Sequence, residues 1–156
     1  METGFPPVFG EDAGILILGS FPSVRSRAEG FYYGNPQNRF WRVLAALYCE
    51  PLPKDISEKR ALLIRRQIAL WDVADRCDIT GSSDASMRNV KPNDVAPLIE
   101  RLGIKRVYVN GGTAARLYKR FILPESGVPA VTLPSTSPAN AAWSLDRLID
   151  VWRVIL

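Results

Sequence analysis

The stretch Gly14-Ile15-Leu16-Ile17-Leu18-Gly19-Ser20-Phe21-Pro22-Ser23 is an apolar run that ends in small and polar residues. A strand that is apolar at every position, without alternation, is typical of a parallel sheet covered on both faces. The small residues that follow allow backbone N–H groups to approach a ligand closely. The stretch therefore predicts a buried central strand that leads into a binding loop.

Three more apolar runs, at 68–73, 106–110 and 129–133, predict further strands beside 14–19. Helical patterns lie between and after them, at 39–48, 57–66, 93–102, 113–121 and 139–155. Asn93 and Asp94 are suited to cap the third helix, and Gly103 to end it. Strands that alternate with helices predict an α/β fold, a three-layer α/β/α sandwich around a central four-stranded, mainly parallel sheet.

Length and composition limit the class of protein. With 156 residues, 47% hydrophobic and 23% charged, the chain has the composition of one globular domain. Twenty basic against sixteen acidic residues suit a polyanionic partner, although mild basicity is also common in proteins that never bind nucleic acid. No apolar run approaches the roughly 20 residues of a bilayer span, and no signal-peptide pattern is visible. We expect a cytoplasmic protein with no membrane partner.

Absent residue types narrow the chemistry. The chain has no histidine, which excludes Ser-His-Asp and Cys-His catalysis and most zinc sites. Cys49 and Cys77 lack CxxC spacing, and their apolar settings predict buried structural thiols. Two cysteines do not supply the four thiolates of an ordinary iron–sulfur cluster. We expect chemistry without a metal or any other cofactor.

The four strand ends should meet at one edge of the sheet, where α/β proteins bind ligands. The first loop there contains Gly19, Ser20, Phe21 and Pro22, and matches neither GxGxxG nor the P-loop. Its Ser20, Ser23 and Ser26 can donate to a phosphate or a carbonyl. A turn whose serines cap a helix is an equally good interpretation.

The second loop, Tyr32-Tyr33-Gly34-Asn35-Pro36-Gln37-Asn38-Arg39-Phe40-Trp41, is rich in aromatic and amide side chains. Aromatic rings stack on flat rings, and amides pair with ring edges or hold a water, so the loop suits a nucleobase. Pro36 favours an extended Asn35. Helix statistics favour Asn38 as a helix cap over a functional residue.

Polar residues also follow the other predicted strands. Asp72 can accept from a base N–H or bond to local backbone, and the two interpretations are even. Asn110, Gly111 and Gly112 suit close approach to a phosphate at a helix N-terminus, or a tight turn. Two prolines stiffen the last loop, for which a serine-capped turn is again the alternative; it contains Ser135, Thr136, Ser137, Pro138, Ala139 and Asn140.

Together these segments resemble the uracil-DNA glycosylase superfamily, most closely its deoxyinosine (hypoxanthine)-DNA glycosylase branch. The resemblance covers nearly the whole chain and implies a single glycosylase domain at 1–156. It implies a monofunctional enzyme that flips a deaminated base out of DNA and hydrolyses its N-glycosidic bond, leaving an abasic site. The base implied is hypoxanthine. The implied partner is double-stranded DNA, with single-stranded DNA as an alternative. The expected oligomeric state is a monomer.

The resemblance also implies residue roles. Asn38 is the expected catalytic residue, which orients water. The base-binding set is Gly19, Ser20, Phe21, Pro22, Tyr33, Asn35 and Asp72, with Tyr33 stacking under the base. The DNA-binding set is Ser23, Ser26, Asn110, Gly111, Gly112, Ser135, Thr136, Ser137, Pro138, Ala139 and Asn140. Residues 81–89 resemble the segment beside the family's pocket, although a surface loop looks similar.

The chain departs from the family pattern at three places. Phe21 stands where some branches carry a catalytic Asn or Asp, Asn35 stands where many relatives have His, and the last loop has no His. The alternatives are a uracil- or mismatch-specific uracil/thymine DNA glycosylase, or a non-enzymatic nucleic-acid-binding domain of the same fold. A nucleoside hydrolase would need acidic clusters that are not evident.

Overall fold

A computed structural model describes residues 2–78 and 87–156. The strands are β1 (Glu2–Thr3), β2 (Ile15–Gly19), β3 (Ile68–Asp72), β4 (Ala74–Asp78), β5 (Arg88–Pro92), β6 (Arg106–Asn110) and β7 (Ala130–Leu133). The helices are α1 (Val24–Glu29), α2 (Phe40–Leu47), α3 (Ile56–Arg65), α4 (Val95–Leu102), α5 (Gly112–Phe121), α6 (Leu123–Ser126) and α7 (Leu145–Trp152), followed by a 3₁₀ turn (Arg153–Ile155). No helix in these ranges is long and apolar enough to cross a membrane.

The central sheet has the strand order β3-β2-β6-β7, and all its neighbouring strands are parallel. All five residues of β2 are buried, as the unbroken apolar run predicts. Ile15 and Ile17 pack on one face of the sheet, and Leu16 and Leu18 pack on the other. The predicted four-stranded parallel sheet is confirmed.

Two hydrophobic clusters cover the two faces of this sheet. One contains side chains of α2, α3 and α7, including Phe40, Leu63 and Trp152. The other contains side chains of α4 and α5, including Ile99 and Tyr118. Each cluster lies between a layer of helices and one face of the sheet, so the three-layer α/β/α sandwich is also confirmed.

A small antiparallel sheet of order β1-β4-β5 was not predicted from the sequence. A single residue separates β4 from β3, and Asp75, Arg76 and Asp78 give β4 none of the apolar pattern of a core strand. Register irregularities interrupt its pairing with β5. Strands of this kind depend on their neighbours rather than on side-chain periodicity, so sequence patterns do not reveal them.

Several predicted details were wrong. The last helix begins at Leu145 rather than 139, with the Ser144 side chain as its cap. The helix predicted at 57–66 begins one residue earlier, and the Asp55 side chain caps it by accepting from the Glu58 N–H. Neither predicted cap bonds to the start of α4 through its side chain: Asp94 makes no side-chain cap bond, and the Asn93 amide donates to the Asp72 backbone oxygen at the end of β3. Cys77 is buried as expected, but Cys49 is exposed.

Trp152 joins α7 to the loop after β7. Its ring is fully buried and packs edge-on against Phe40, with 5.9 Å between the ring centroids. Its indole N–H donates to the Pro134 carbonyl at 3.0 Å. The helix therefore anchors one end of the polar loop at the carboxyl edge of the sheet.

We expect Trp152→Ala to lower the free energy of unfolding by about 3–5 kcal/mol, because it leaves a cavity and an unpaired carbonyl. Urea unfolding measures this change. Val154→Ala is the matched control, since Val154 is half-exposed on the following turn. Equal stabilities of the two variants would show that the contact with Pro134 does not anchor the loop.

Candidate active site

A cavity of about 260 Å³ lies at the carboxyl edge of the central sheet. It is bounded by the loops that follow β2, β3, β6 and β7 and by the segment before α2. Of the predicted site residues, those that line it are Gly19, Ser20, Phe21, Pro22, Ser23, Ser26, Tyr33, Asn35, Asn38, Asp72, Asn110, Ser135, Thr136, Ser137, Pro138 and Ala139. The structure thus brings together residues that lie more than a hundred positions apart in the chain.

One wall of the cavity depends on the absence of a side chain at Gly19. A methyl group there would lie 2.5 Å from the Asp72 Oδ1 atom and 2.9 Å from the Tyr33 hydroxyl oxygen. Both distances are too short for ordinary contact, so only glycine lets these two groups approach the end of β2. Asp72 is 96% buried, and its backbone oxygen accepts from the Asn93 amide at 2.8 Å. The result is a buried carboxylate beside a phenol.

Tyr32 also lines the cavity, although the sequence did not single it out. Its hydroxyl donates to the Pro6 carbonyl at 2.7 Å. Burial, and secondarily the negative charge of Asp72, raises the pKa of Tyr32 far above its usual range. The hydroxyl therefore stays protonated and fixes the N-terminal segment against the cavity. The hydroxyl's partner lies 26 positions away in the chain, so the loop sequence alone gave no signal for this contact.

Residues 35–38, which we call the amide loop, form a tight turn. The Asn38 N–H donates to the Asn35 carbonyl, and the Asn35 side-chain oxygen accepts from the Gln37 N–H, both at 2.9 Å. The Asn38 side-chain oxygen accepts from the Phe40 N–H at 2.9 Å. This bond is close to the capping role that helix statistics favoured, although the boundary residue of α2 is Arg39.

The local bond leaves Asn38 with further hydrogen-bonding capacity. An amide oxygen has two lone pairs, so one remains to accept from a second donor. The Asn38 N–H₂ group donates to no group in the described part of the chain. Held by its oxygen and half-buried at the cavity wall, the side chain is oriented rather than free to rotate.

Tyr33 lies on the same wall. Its ring stacks on Phe40 with 4.1 Å between centroids and 24° between planes. Its hydroxyl accepts from the Asn110 amide at 3.3 Å. The residue adopts a left-handed backbone conformation, with φ of 53°. A non-glycine residue in this region costs about 1–3 kcal/mol and persists where the surroundings hold it, as the stacking and the hydrogen bond do here.

Residues 133–143, which we call the serine loop, are fixed by reciprocal hydrogen bonds. The Thr136 N–H donates to the Asn110 side-chain oxygen, and the Asn110 amide donates to the Thr136 hydroxyl, both at 3.0 Å. The Ser135 and Ser137 hydroxyls accept from backbone N–H groups two residues later, each at 3.1 Å. A hydroxyl that accepts keeps its own hydrogen to donate, so both serines retain a donor.

Arg39 makes the largest set of contacts with the serine loop, and the sequence did not identify it as functional. Its side chain donates to the carbonyls of Ser137 at 2.9 Å and of Asn140 at 3.1 Å, and also to that of Trp143. An arginine directly after an amide-rich loop is the only local signal. Its partners lie about a hundred positions away, which no pattern in one sequence reveals.

Three predicted site residues do not line this cavity. Gly111, Gly112 and Asn140 line a neighbouring cavity of about 520 Å³, which shares Ser135, Ser137 and Ala139 with the first.

The Ser23 side chain caps α1, and the buried Ser26 hydroxyl accepts from the Gly34 N–H at 2.9 Å. Of the segment 81–89, residues 81–86 lie outside the described residues.

The Gly111 backbone, with φ of 96°, has the left-handed conformation that favours glycine. A methyl group there would lie 3.1 Å from the Ser135 Cβ atom. The Gly111 N–H also donates to the Leu133 carbonyl at 2.9 Å. The tight turn is therefore observed, and it packs directly against the serine loop.

The family model for the uracil DNA glycosylase superfamily matches residues 6–155. The chain belongs to this superfamily. A protein from Methanosarcina acetivorans named hypoxanthine DNA glycosylase is 36% identical to it over 148 residues, which cover 94% of the chain and 93% of the relative. A protein of the same name from Methanosarcina barkeri is 34% identical over 141 residues, with 89% and 88% covered.

A solved structure agrees with this assignment. The solution NMR structure of a protein from Methanosarcina acetivorans, described provisionally as a uracil DNA glycosylase, superposes with a TM-score of 0.82. The two chains are 34% identical, and the match covers 98% of this chain and 97% of that one. The resemblance that the sequence motifs indicated is therefore confirmed at the level of the superfamily.

We expect Gly19→Ala to lower the free energy of unfolding of this glycosylase-family protein by about 1–3 kcal/mol, because its methyl group must displace Asp72 and Tyr33. Urea unfolding and a structure of the variant measure the cost and the displacement. Gly14→Ala is the matched control, since Gly14 directly precedes β2 and a methyl group there meets no atom within 4 Å. If the two variants unfold alike, the close approach at Gly19 is not tight.

Proposed function

We propose that this chain is a DNA glycosylase that excises hypoxanthine from DNA by hydrolysis of the N-glycosidic bond. The observation that carries the proposal is the single cavity in which the Asn38 amide, the Asp72 carboxylate and the Tyr33 ring meet the serine loop. The names of two relatives, each matched over most of its length, support hypoxanthine as the base. The resemblance to the superfamily supports DNA as the substrate.

Base recognition is proposed to depend on Asp72. An ionised carboxylate only accepts hydrogen bonds, so it favours a base edge that presents an N–H. Hypoxanthine carries a hydrogen on N1, and uracil carries one on N3, whereas N1 of adenine carries only a lone pair. Deamination of adenine therefore creates an N–H donor at N1, and the buried Asp72 carboxylate can accept a hydrogen bond from it. The same logic keeps uracil as the alternative substrate.

Catalysis is proposed to depend on Asn38. The nucleotide is flipped out of the duplex at a cost of a few kcal/mol, and Tyr33 stacks on the exposed base. The C1′–N bond then stretches, the sugar gains oxocarbenium character, and the departing base gains negative charge that N–H groups of the cavity stabilise. An amide is too weak a base to remove a proton early. Its oxygen instead orients a water toward C1′, which suffices once the glycosidic bond is largely broken.

DNA contact is proposed for the serine loop and for the turn at Gly111 and Gly112. The free hydrogens of the Ser135 and Ser137 hydroxyls can donate to phosphate oxygens, while the loop's carbonyls point to Arg39. Such contacts fix the register of the protein on the duplex without reading sequence. Ser23 and Ser26 stay predictions for this role, with Ser26 the less accessible since its hydroxyl is buried.

The first test uses labelled duplexes that contain inosine, uracil or only normal bases, followed by alkaline cleavage of abasic sites. We expect cleavage at inosine. If the protein slows the migration of the duplexes in a native gel without creating abasic sites, it is a nucleic-acid-binding domain. Preferential release of uracil would instead favour the uracil-specific alternative.

We expect Asn38→Ala to lower the single-turnover rate of base release by roughly 100-fold or more, because positioning of the water depends on the amide. DNA affinity should change little, since the residue contributes no charge to phosphate binding. Gln37→Ala is the matched control, an exposed amide in the same loop that does not line the cavity. A wild-type rate for Asn38→Ala would leave the residue as a local turn former only.

We expect the double substitution Ser135→Ala and Ser137→Ala to weaken duplex binding about tenfold for every sequence, through loss of two phosphate contacts. The single-turnover rate at saturating enzyme should fall less than for Asn38→Ala. Because hydroxyls neutralise no charge, the slope of affinity against salt concentration should stay the same. Unchanged affinity in a folded double variant would assign the loop to structure alone.

A further inference from the structure

The contacts of Arg39 connect two loops that the proposed function treats separately. The residue directly follows the amide loop, and it donates only to the serine loop among the described residues. We propose that Arg39 is a positioning residue that holds the amide loop and the serine loop together as one unit. The choice of substrate in its test rests on the proposed function, whereas the contact between the two loops does not.

The geometry of Arg39 uses both its backbone and its side chain. Its N–H donates to the Thr136 carbonyl at 3.1 Å, and its Nε atom lies 3.5 Å from the same oxygen. The terminal nitrogens reach three further carbonyls, those of Ser137, Asn140 and Trp143. A planar guanidinium presents five N–H donors in fixed directions, and a lysine ammonium on its flexible stem does not reproduce that arrangement.

Thr136 is the point where this contact meets the sheet. The residue is completely buried. Its N–H and hydroxyl are paired with the Asn110 side chain at the end of β6, and its carbonyl accepts from Arg39. The serine loop is therefore fixed from both sides. Since Cα atoms of neighbouring residues lie about 3.8 Å apart, a displacement of Arg39 must also move Asn38.

The charge of Arg39 offers a way to separate position from electrostatics. No carboxylate within residues 2–78 and 87–156 forms an ion pair with it, and its side-chain hydrogen bonds in these ranges all go to backbone carbonyls. A positive charge beneath a DNA-contacting loop attracts phosphate by itself. Lysine at this position keeps the positive charge but loses the fixed arrangement of N–H donors, whereas methionine loses both the charge and the donors.

The test compares Arg39→Lys and Arg39→Met with Arg101→Lys and Arg101→Met. Arg101 is an exposed arginine of α4, paired with Glu11 before β2, toward the opposite end of the sheet. We expect both Arg39 variants to lower the single-turnover rate on inosine-containing duplex by roughly 10- to 100-fold, because small displacements of a positioned group are costly. Both should also bind undamaged duplex more weakly. The two Arg101 variants should match the wild type.

The Lys variant decides between the two roles. A rate and an affinity restored to wild-type values by Arg39→Lys would overturn the proposal, because charge alone would then be sufficient. A loss of affinity with an unchanged rate would also overturn it, since the amide loop would not depend on the contact. Similar losses of both quantities in the Lys and Met variants would support it.

Amide hydrogen exchange tests the contact without any activity. We expect the N–H groups of Ser137, Asn140 and Trp143, all hydrogen-bonded in the loop, to exchange at least tenfold faster in Arg39→Lys while those of β2 do not change. Unchanged exchange would overturn the proposal. If wild-type enzyme releases no base, the proposed function fails, and exchange still decides the coupling.

If neither Arg39 variant folds, exchange in the wild-type protein remains informative. The Arg39 N–H and the three serine-loop N–H groups should then share one opening free energy, as members of a single cooperative unit. Serine-loop amides that exchange far faster than the Arg39 amide would overturn the proposal.

Discussion

The register of β2 with its two neighbours is the constraint on which the site depends. Gly19 pairs with Asp72 on one side, and Leu18 pairs with Val109, the residue before Asn110, on the other. The ends of three strands therefore lie at the same level, and the groups they carry meet across one cavity. In a strand buried on both faces, a slip by one residue would exchange the side chains of the two hydrophobic clusters, so the core itself fixes this alignment.

The site combines polar groups that are hydrogen-bonded within the protein with polar groups that keep hydrogen-bonding capacity for a substrate. Asn110, Thr136 and the backbone of the serine loop bond to one another and to Arg39. The Asn38 amide hydrogens keep their capacity toward the cavity. An arrangement of this kind needs little reorganisation when a substrate enters, which is how preorganised polar groups stabilise developing charge. The left-handed backbone of Tyr33 indicates that some folding energy is spent on this geometry.

Much of this architecture could be predicted from the sequence, and the reasons for success and failure are physical. Gly14–Leu18 and the other apolar runs revealed the sheet because parallel strands buried on both faces need unbroken apolar sequence. The polar residues after them followed from the geometry of parallel strands, which is why sixteen predicted residues line one cavity. Local patterns were less informative at the start of α7, because tertiary bonds to Arg39 hold the residues before Leu145 in a non-helical loop.

The separation of Arg39 and Thr136 by 97 positions has a consequence for how the protein folds during synthesis. Contacts between distant parts of a chain form late, since the loop between them must close first. During synthesis from the N-terminus, the amide loop is complete long before β7 and the serine loop leave the ribosome. A nascent chain therefore carries the aromatic and amide side chains of the cavity without the second wall. Substrate binding therefore becomes possible only after β7 and the serine loop have been synthesised and have packed against the amide loop.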